Sequence, residues 1–187
     1  MIEDLNKALE VLRKGGVILY PTDTVWGIGC DATNQEAVER IYAIKERDDS
    51  KSMLVLMENP ALLERYVNNV PDIAWDLVEI SATPLTVIYP EAKNLAPNLI
   101  SKDGSIGIRF TKEEFTTRLL QKFRKPVVST SANISSEKTP SSFDEISEKI
   151  KAAVDYIVQY RQNDKTATRP SEIIKLWPDG RIDIIRK

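Results

Sequence analysis

Gln35-Glu36-Ala37-Val38-Glu39-Arg40-Ile41-Tyr42-Ala43-Ile44-Lys45-Glu46-Arg47-Asp48-Asp49-Ser50-Lys51-Ser52-Met53-Leu54-Val55-Leu56 reads as a helix, a charged turn and a strand in succession. From Gln35 to about Arg47, the apolar residues Ala37, Val38, Ile41, Tyr42 and Ile44 fall on or near one helical face. Asn34 stands where a side chain can accept from the first turn of that helix. Met53-Leu54-Val55-Leu56 has the continuous apolar character of a buried strand. Between them Lys45, Arg47 and Lys51 place three cations in seven residues. Alone, such a run is more often a solvated turn. Held by structure at both ends, it is also placed as a helix-exit loop that can clamp a phosphate.

The alternation of helix and strand continues in both directions. Toward the N-terminus, Leu5, Ala8, Leu9 and Leu12 recur at helical spacing, and Gly15-Gly16 suits a left-handed cap. Val17-Ile18-Leu19-Tyr20 reads as a strand stopped by Pro21. Thr22-Asp23-Thr24-Val25-Trp26-Gly27-Ile28-Gly29-Cys30 then offers hydroxyls, a carboxylate, an indole and glycines that would let backbone approach a ligand. Toward the C-terminus, Pro60 and Pro71 look like first-turn helix residues, and Thr83 to Tyr89 reads as a strand closed by Pro90. Ser105 to Phe110 alternates, so Ser105, Gly107 and Arg109 share a side; Arg109 either projects beside bare backbone or sits in a surface salt bridge. A helix from about Glu113 to Phe123 leads to the strand Pro126-Val127-Val128 and the polar run Ser129-Thr130-Ser131-Ala132-Asn133. A helix near Phe143 to Ala153, a strand at Tyr156-Ile157-Val158, and a hairpin of Ser171 to Trp177 with Ile182 to Arg186 complete the chain.

Composition narrows the chemistry. With 187 residues and 42% hydrophobic content, one domain over residues 1–187 with a real core is expected. Histidine is absent, which removes Ser-His-Asp and Cys-His catalysis, imidazole acid-base chemistry and histidine-ligated zinc. Cys30 stands alone in a strand-like stretch and reads as an inert buried thiol. A net charge of −2, from 26 basic and 28 acidic residues, lacks the overall basic bias of a protein that grips nucleic acid by its phosphates. No apolar stretch reaches membrane-spanning length, and Met1-Ile2-Glu3-Asp4 does not open a secretory signal, so a cytoplasmic location without membrane association is expected. Neither a Walker loop nor a Gly-x-Gly-x-x-Gly fingerprint occurs. Ser129, Ser131 and Asn133 alternate by two; persisting strand geometry would point all three toward phosphate or ribose oxygens, whereas an Asx or Ser/Thr turn would satisfy its own backbone instead. The residues by themselves describe an anion-binding α-plus-β domain.

Pro21-Thr22-Asp23-Thr24-Val25-Trp26-Gly27-Ile28-Gly29, Lys45-x-Arg47-x-x-x-Lys51, Gly107-Ile108-Arg109 and Ser129-Thr130-Ser131-Ala132-Asn133 occur in the same order as in the YrdC-like family. Over nearly its full length the chain resembles the short, single-domain threonylcarbamoyl-AMP synthases of that family. The resemblance implies an α+β fold, a three-layer domain with a mixed, twisted sheet around a concave basic cavity. It implies synthesis of threonylcarbamoyl-AMP and pyrophosphate from L-threonine, bicarbonate or carbon dioxide, and ATP, for modification of a tRNA adenosine beside the anticodon. By the same resemblance, Arg47, Lys51, Ser131, Asn133, Thr139 and Arg186 would bind ATP. Thr24, Ser105, Arg109, Ser129 and Ser171 would surround threonine, and Lys45, Arg47 and Lys51 would carry the catalytic positive charge. Mg2+ would arrive on the ATP phosphates with no protein ligands of its own, and no organic cofactor is implied. Downstream threonylcarbamoyl transferase machinery would take the product. A concave basic surface would also suit tRNA or double-stranded RNA, and a non-catalytic RNA-binding or ribosome-associated module of this fold is the alternative. Departures from the family pattern are Asp48-Asp49 and Ser52-Met53 around the last cation, Leu56 where a histidine is common, Phe110-Thr111 where a proline follows, and Ser171-Glu172-Ile173-Ile174-Lys175 for the usual Ser-Thr-Val-Val-Asp.

Overall fold

Strand register sets the architecture, and a computed structural model describes it for residues 1–48, 53–166 and 169–187. Strands β1 (Ile18–Tyr20), β2 (Gly27–Gly29), β3 (Leu54–Met57), β4 (Leu85–Tyr89), β5 (Ile106–Phe110), β6 (Val127–Ser131), β7 (Tyr156–Ile157), β8 (Glu172–Leu176) and β9 (Ile182–Arg186) form one sheet in the order β7-β1-β2-β6-β3-β5-β4-β8-β9. Pairing is parallel for β1 with β7, β3 with β5 and β4 with β8, and antiparallel at the other steps. The sheet is therefore mixed, and the fold is α+β as expected. At its centre β6 pairs with β3 through Val127, Val128 and Ser129, and with β2 through Thr130 and Ser131.

Helix α1 (Ile2–Arg13) buries Leu5, Ala8, Leu9 and Leu12, the stripe read from the sequence, and ends ahead of Gly15 at φ +76°. Asp4 is buried on the same helix without cost, because its carboxylate accepts from Gln159 N, Tyr160 N and Tyr156 Oη and so ties the first helix to the strand β7 region. Helix α2 (Gln35–Lys45) starts at the expected cap, with Asn34 Oδ1 accepting from Ala37 N at 3.1 Å. It ends earlier than the apolar pattern indicated. Glu46 turns left-handed at φ 50°, ψ 43°, and Glu46 N and Arg47 N close on Ala43 O and Tyr42 O. That turn sends Lys45 and Arg47 in different directions.

Helices α3 (Ile73–Ile80), α4 (Glu114–Phe123) and α5 (Glu148–Ala153) complete the described elements together with 3-10 turns at Pro60–Arg65 and Phe143–Glu145. The helix expected over Phe143 to Ala153 is thus two pieces: Ile146 is extended, and Ser147 caps a fresh helix at Ile150 N. Gly29 corrects a second expectation. A Cβ there would meet Val128 O at 2.5 Å and the Tyr20 ring at 2.6 Å, so its bareness serves strand packing and not ligand approach. Among the described residues no helix is long and apolar enough to cross a membrane.

Candidate active site

Alternation along the central strands builds the floor of a cavity of about 700 Å³ on one face of the sheet. Thr86 and Ile88 of β4, Gly107 and Arg109 of β5, and Ile173 and Lys175 of β8 face it, while Val87 and Ile108 face the opposite side. Register places Thr86 beside both Arg109 and Ile173. Gly107 keeps the middle of the floor low; a Cβ there would lie 3.3 Å from Thr86 Cγ2 and from Leu54 Cβ. The walls come from the Thr24–Gly27 segment, from Arg47, from Ser129 to Ser131, from Thr139, and from Ser171 and Arg186. Arg47, Lys102, Arg109, Lys175 and Arg186 bring positive charge to the lining among the described residues, against the single carboxylate of Asp103.

Arg109 is the most constrained of these cations. It is 3% exposed, and Asp23 Oδ1 lies 3.1 Å from its Nη2. The pair is ionic by distance, but its alignment gives neither atom a hydrogen bond, and Arg109 Nε also lacks a partner. This pair fixes the planar guanidinium at the cavity floor, where its charge favours an anion. Asp103 anchors the neighbouring turn. Its Oδ1 accepts from Ser105 Oγ at 2.6 Å and Ser105 N at 3.1 Å, and its Oδ2 accepts from Lys175 Nζ at 2.6 Å. Hydrogen bonds from Lys175 and Ser105 hold the Asp103 carboxyl down to about 2. Thr22 braces the opposite wall by accepting from Thr24 N at 3.0 Å and donating to Val25 O at 2.8 Å, while Arg161 Nη1 holds Thr22 O at 3.1 Å.

Arg186 reaches in from β9 and donates through Nε and Nη2 to Ser171 O, at 2.9 and 2.7 Å. Burial and the nearby Arg109 charge lower its pKa from the ordinary guanidinium value. The Ser171 hydroxyl lies 2.7 Å from that of Thr86.

Of the residues expected to bind or act, Thr24, Arg47, Ser105, Arg109, Ser129, Ser131, Thr139, Ser171 and Arg186 meet around this cavity. Lys51 lies outside the described residues. Lys45 and Asn133 do not face the cavity, and in each the reason is local. Lys45 is 1% exposed, and its Nζ donates to Ser131 O at 2.5 Å and Asn133 O at 2.6 Å, so its ammonium stitches the end of α2 to the polar run after β6. Burial, with Arg47 nearby, pushes its pKa down to about 8. The alternation of Ser129, Ser131 and Asn133 stops at the end of β6. Asn133 N turns back to Ser131 O, and Asn133 Nδ2 donates to Ile134 O and Glu137 O, which is the self-satisfied turn weighed as the alternative.

Thr86, Lys102, Asp103 and Lys175 enter the site without having been singled out from the sequence. Asp103-Gly104-Ser105 carried an Asx-turn signal that could have found the first anchor. Thr86 carried none, because its value depends on β4 lying beside β8. Among the described residues, no group of three or more cysteine or carboxylate side chains could hold a metal ion. Asp103 is already committed to Ser105 and Lys175.

The Sua5_yciO_yrdC family, described as "Telomere recombination", matches residues 10–187. A protein of Pseudoalteromonas translucida named threonylcarbamoyl-AMP synthase is 38% identical over 154 residues, which is 81% of this chain and 82% of that protein. E. coli YciO shares the fold with a TM-score of 0.85 at 28% identity, covering 98% of this chain and 88% of that one. P. abyssi Sua5 complexed with L-threonine superposes with a TM-score of 0.81 at 25% identity, covering 92% of this chain; the chain spans 50% of that longer protein.

Proposed function

The chain belongs to the Sua5_yciO_yrdC family, and on that premise we propose that it is an L-threonylcarbamoyladenylate synthase, a nucleotidyltransferase serving tRNA modification. The observation that carries the reading is the buried Arg109 guanidinium, held beside Asp23 at the floor of a cavity that Arg47 and Arg186 also line. A planar fork suits the carboxylate of an amino acid. Ser105, Ser129, Thr24 and Ser171 line the same cavity, where their hydroxyls would surround threonine. Arg47, Ser131 and Thr139 line the cavity beside the turn that leaves α2, where they would meet the phosphates and ribose of ATP, with Arg186 closing the nucleotide side.

In this reading the threonine amine adds to carbon dioxide and loses a proton to water, giving a carbamate. A carbamate oxygen then forms a bond to the α-phosphorus of ATP. The bond from that phosphorus to the bridging oxygen of the β-phosphate breaks, and pyrophosphate leaves with the electron pair. No step needs a strong protein base, which suits a chain without histidine. The protein contributes alignment of carbamate and α-phosphate and fixed positive charge. Mg2+ would enter as the counter-ion of ATP, a role that asks nothing of the protein's carboxylates. Lys45 is assigned a positioning role: its two carbonyl contacts hold the segment that presents Ser131.

Pyrophosphate release from purified protein with ATP, Mg2+, L-threonine and bicarbonate, each omitted in turn, tests the proposal. Release that requires every component, with threonylcarbamoyl-AMP detected by mass spectrometry, is the expected result. Folded protein that releases none, and instead binds double-stranded RNA with an affinity that falls with salt, would replace the enzyme with an RNA-binding module.

A further inference from the structure

Thr86 and Ser171 are each 2% exposed, their hydroxyl oxygens are 2.7 Å apart, and both line the cavity. Thr86 lies in β4 and Ser171 immediately precedes β8, its parallel neighbour, with Leu85 opposite Glu172 and Thr86 opposite Ile173. On its other side Thr86 lies opposite Arg109. Its methyl group faces the bare backbone of Gly107, where a Cβ would come within 3.3 Å of Cγ2, so its hydroxyl is the branch turned to Ser171. Ser171 is held twice: through its carbonyl by the Arg186 fork, and through its side chain by Thr86.

We propose that Thr86 is a positioning residue that fixes the direction of the Ser171 hydroxyl and thereby sets the preference for a hydroxylated amino acid over its deoxy analogue. The inference rests on the synthase reading and deepens it. Two adjacent hydroxyls share one proton between them and keep a second in reserve. When Thr86 donates, Ser171 has its own proton to give into the cavity; when Ser171 donates, its oxygen is left to accept. Either way a substrate hydroxyl can become the third member of the chain, and each added bond polarises the next. A substrate without the hydroxyl leaves a buried polar pair short of a partner, and such sites discriminate far more strongly than a methyl-sized pocket can. Without Thr86, the Ser171 hydroxyl would be free to rotate toward nearby backbone.

The test compares wild type with Thr86→Val, which keeps shape and loses the hydroxyl, and Thr86→Ser, which keeps the hydroxyl. Pyrophosphate release is measured with L-threonine and with L-2-aminobutyrate, and binding of both amino acids is followed by calorimetry. Thr86→Val is expected to shrink the threonine preference on the order of 10-fold, through a higher threonine KM, with the KM for ATP unmoved. Thr86→Ser should restore the preference. An unchanged preference in Thr86→Val, accompanied only by a lower melting temperature, would reduce the pair to a cross-strand contact and overturn the inference. Wild-type protein that binds the two amino acids equally would overturn it as well. Protein that binds threonine selectively yet releases no pyrophosphate would refute the synthase reading instead, and the binding ratio would still decide the role of Thr86.

Discussion

Arg109, Ser105, Thr86 and Ser171 stand on or beside the paired strands β4, β5 and β8, and each is braced by a different neighbour: Asp23, Asp103, Ser171 and Arg186. Arg47, Ser131 and Thr139 stand instead on a helix exit, at the last residue of β6 and in the loop beyond it. There one buried lysine joins the supporting elements. On the proposed reading, sheet register preorganises the amino-acid end of the cavity, whereas the nucleotide end leans on Lys45, whose side chain and carbonyl both bond the run that follows β6. Substitutions of cavity-facing side chains at either end should cost binding, whereas loss of the Lys45 contacts should cost fold and function together.

Arg109→Ala should produce the largest effect on turnover. Losing a buried, charge-assisted fork is worth about 3 kcal/mol, so kcat/KM for threonine should fall by roughly 100-fold with the ATP KM little changed. Arg109→Lys should not rescue it, since a point charge cannot reproduce the fork. Lys45→Met breaks the other end. Two buried carbonyls lose a charged donor, costing roughly 2–3 kcal/mol of stability, read as a lower melting temperature with a higher ATP KM in the same variant. A well-folded variant with normal ATP kinetics would remove the stitch from the account.

Arg47→Ala isolates the nucleotide end without that stitch. An ATP KM raised about 10-fold with threonine affinity retained is expected from steady-state kinetics. Asp103→Asn should give the smallest change, a threonine KM raised about 3-fold, because the carboxylate acts through Ser105 and is largely solvated. Its pH dependence has a definite sign. The folded pKa lies below the ordinary value, at about 2, so the carboxylate's contribution is full above its unfolded pKa. It is lost as pH falls from there through about 2. Acid titration of wild type against Asp103→Asn, followed by circular dichroism, should show the difference closing only in that window.

What could be read from the sequence was local. The helix that starts at Gln35, the strand through Leu54 to Leu56, the stop at Gly15 and the alternation of Ser105, Gly107 and Arg109 follow from side-chain period and backbone preference, and the structure reproduces each. Three residues show where such reading ends. Lys45 shares a motif with Arg47, yet the left-handed turn at Glu46 sends the two apart, and nothing in the residue type announces φ > 0 there. Asn133 continued an alternation that the chain abandons when β6 ends at Ser131. Thr86 reads in the sequence only as one residue of a strand, because its importance comes from lying between Arg109 and Ser171, pairings separated widely in sequence.

Titration calorimetry of L-threonine without ATP, into wild type, Arg109→Ala and Arg47→Ala, tests the contrast between the two ends most directly. A preformed amino-acid site predicts saturable binding to wild type, retention in Arg47→Ala and loss in Arg109→Ala. Threonine binding that appears only with ATP, or that Arg47→Ala abolishes as fully as Arg109→Ala does, would contradict it.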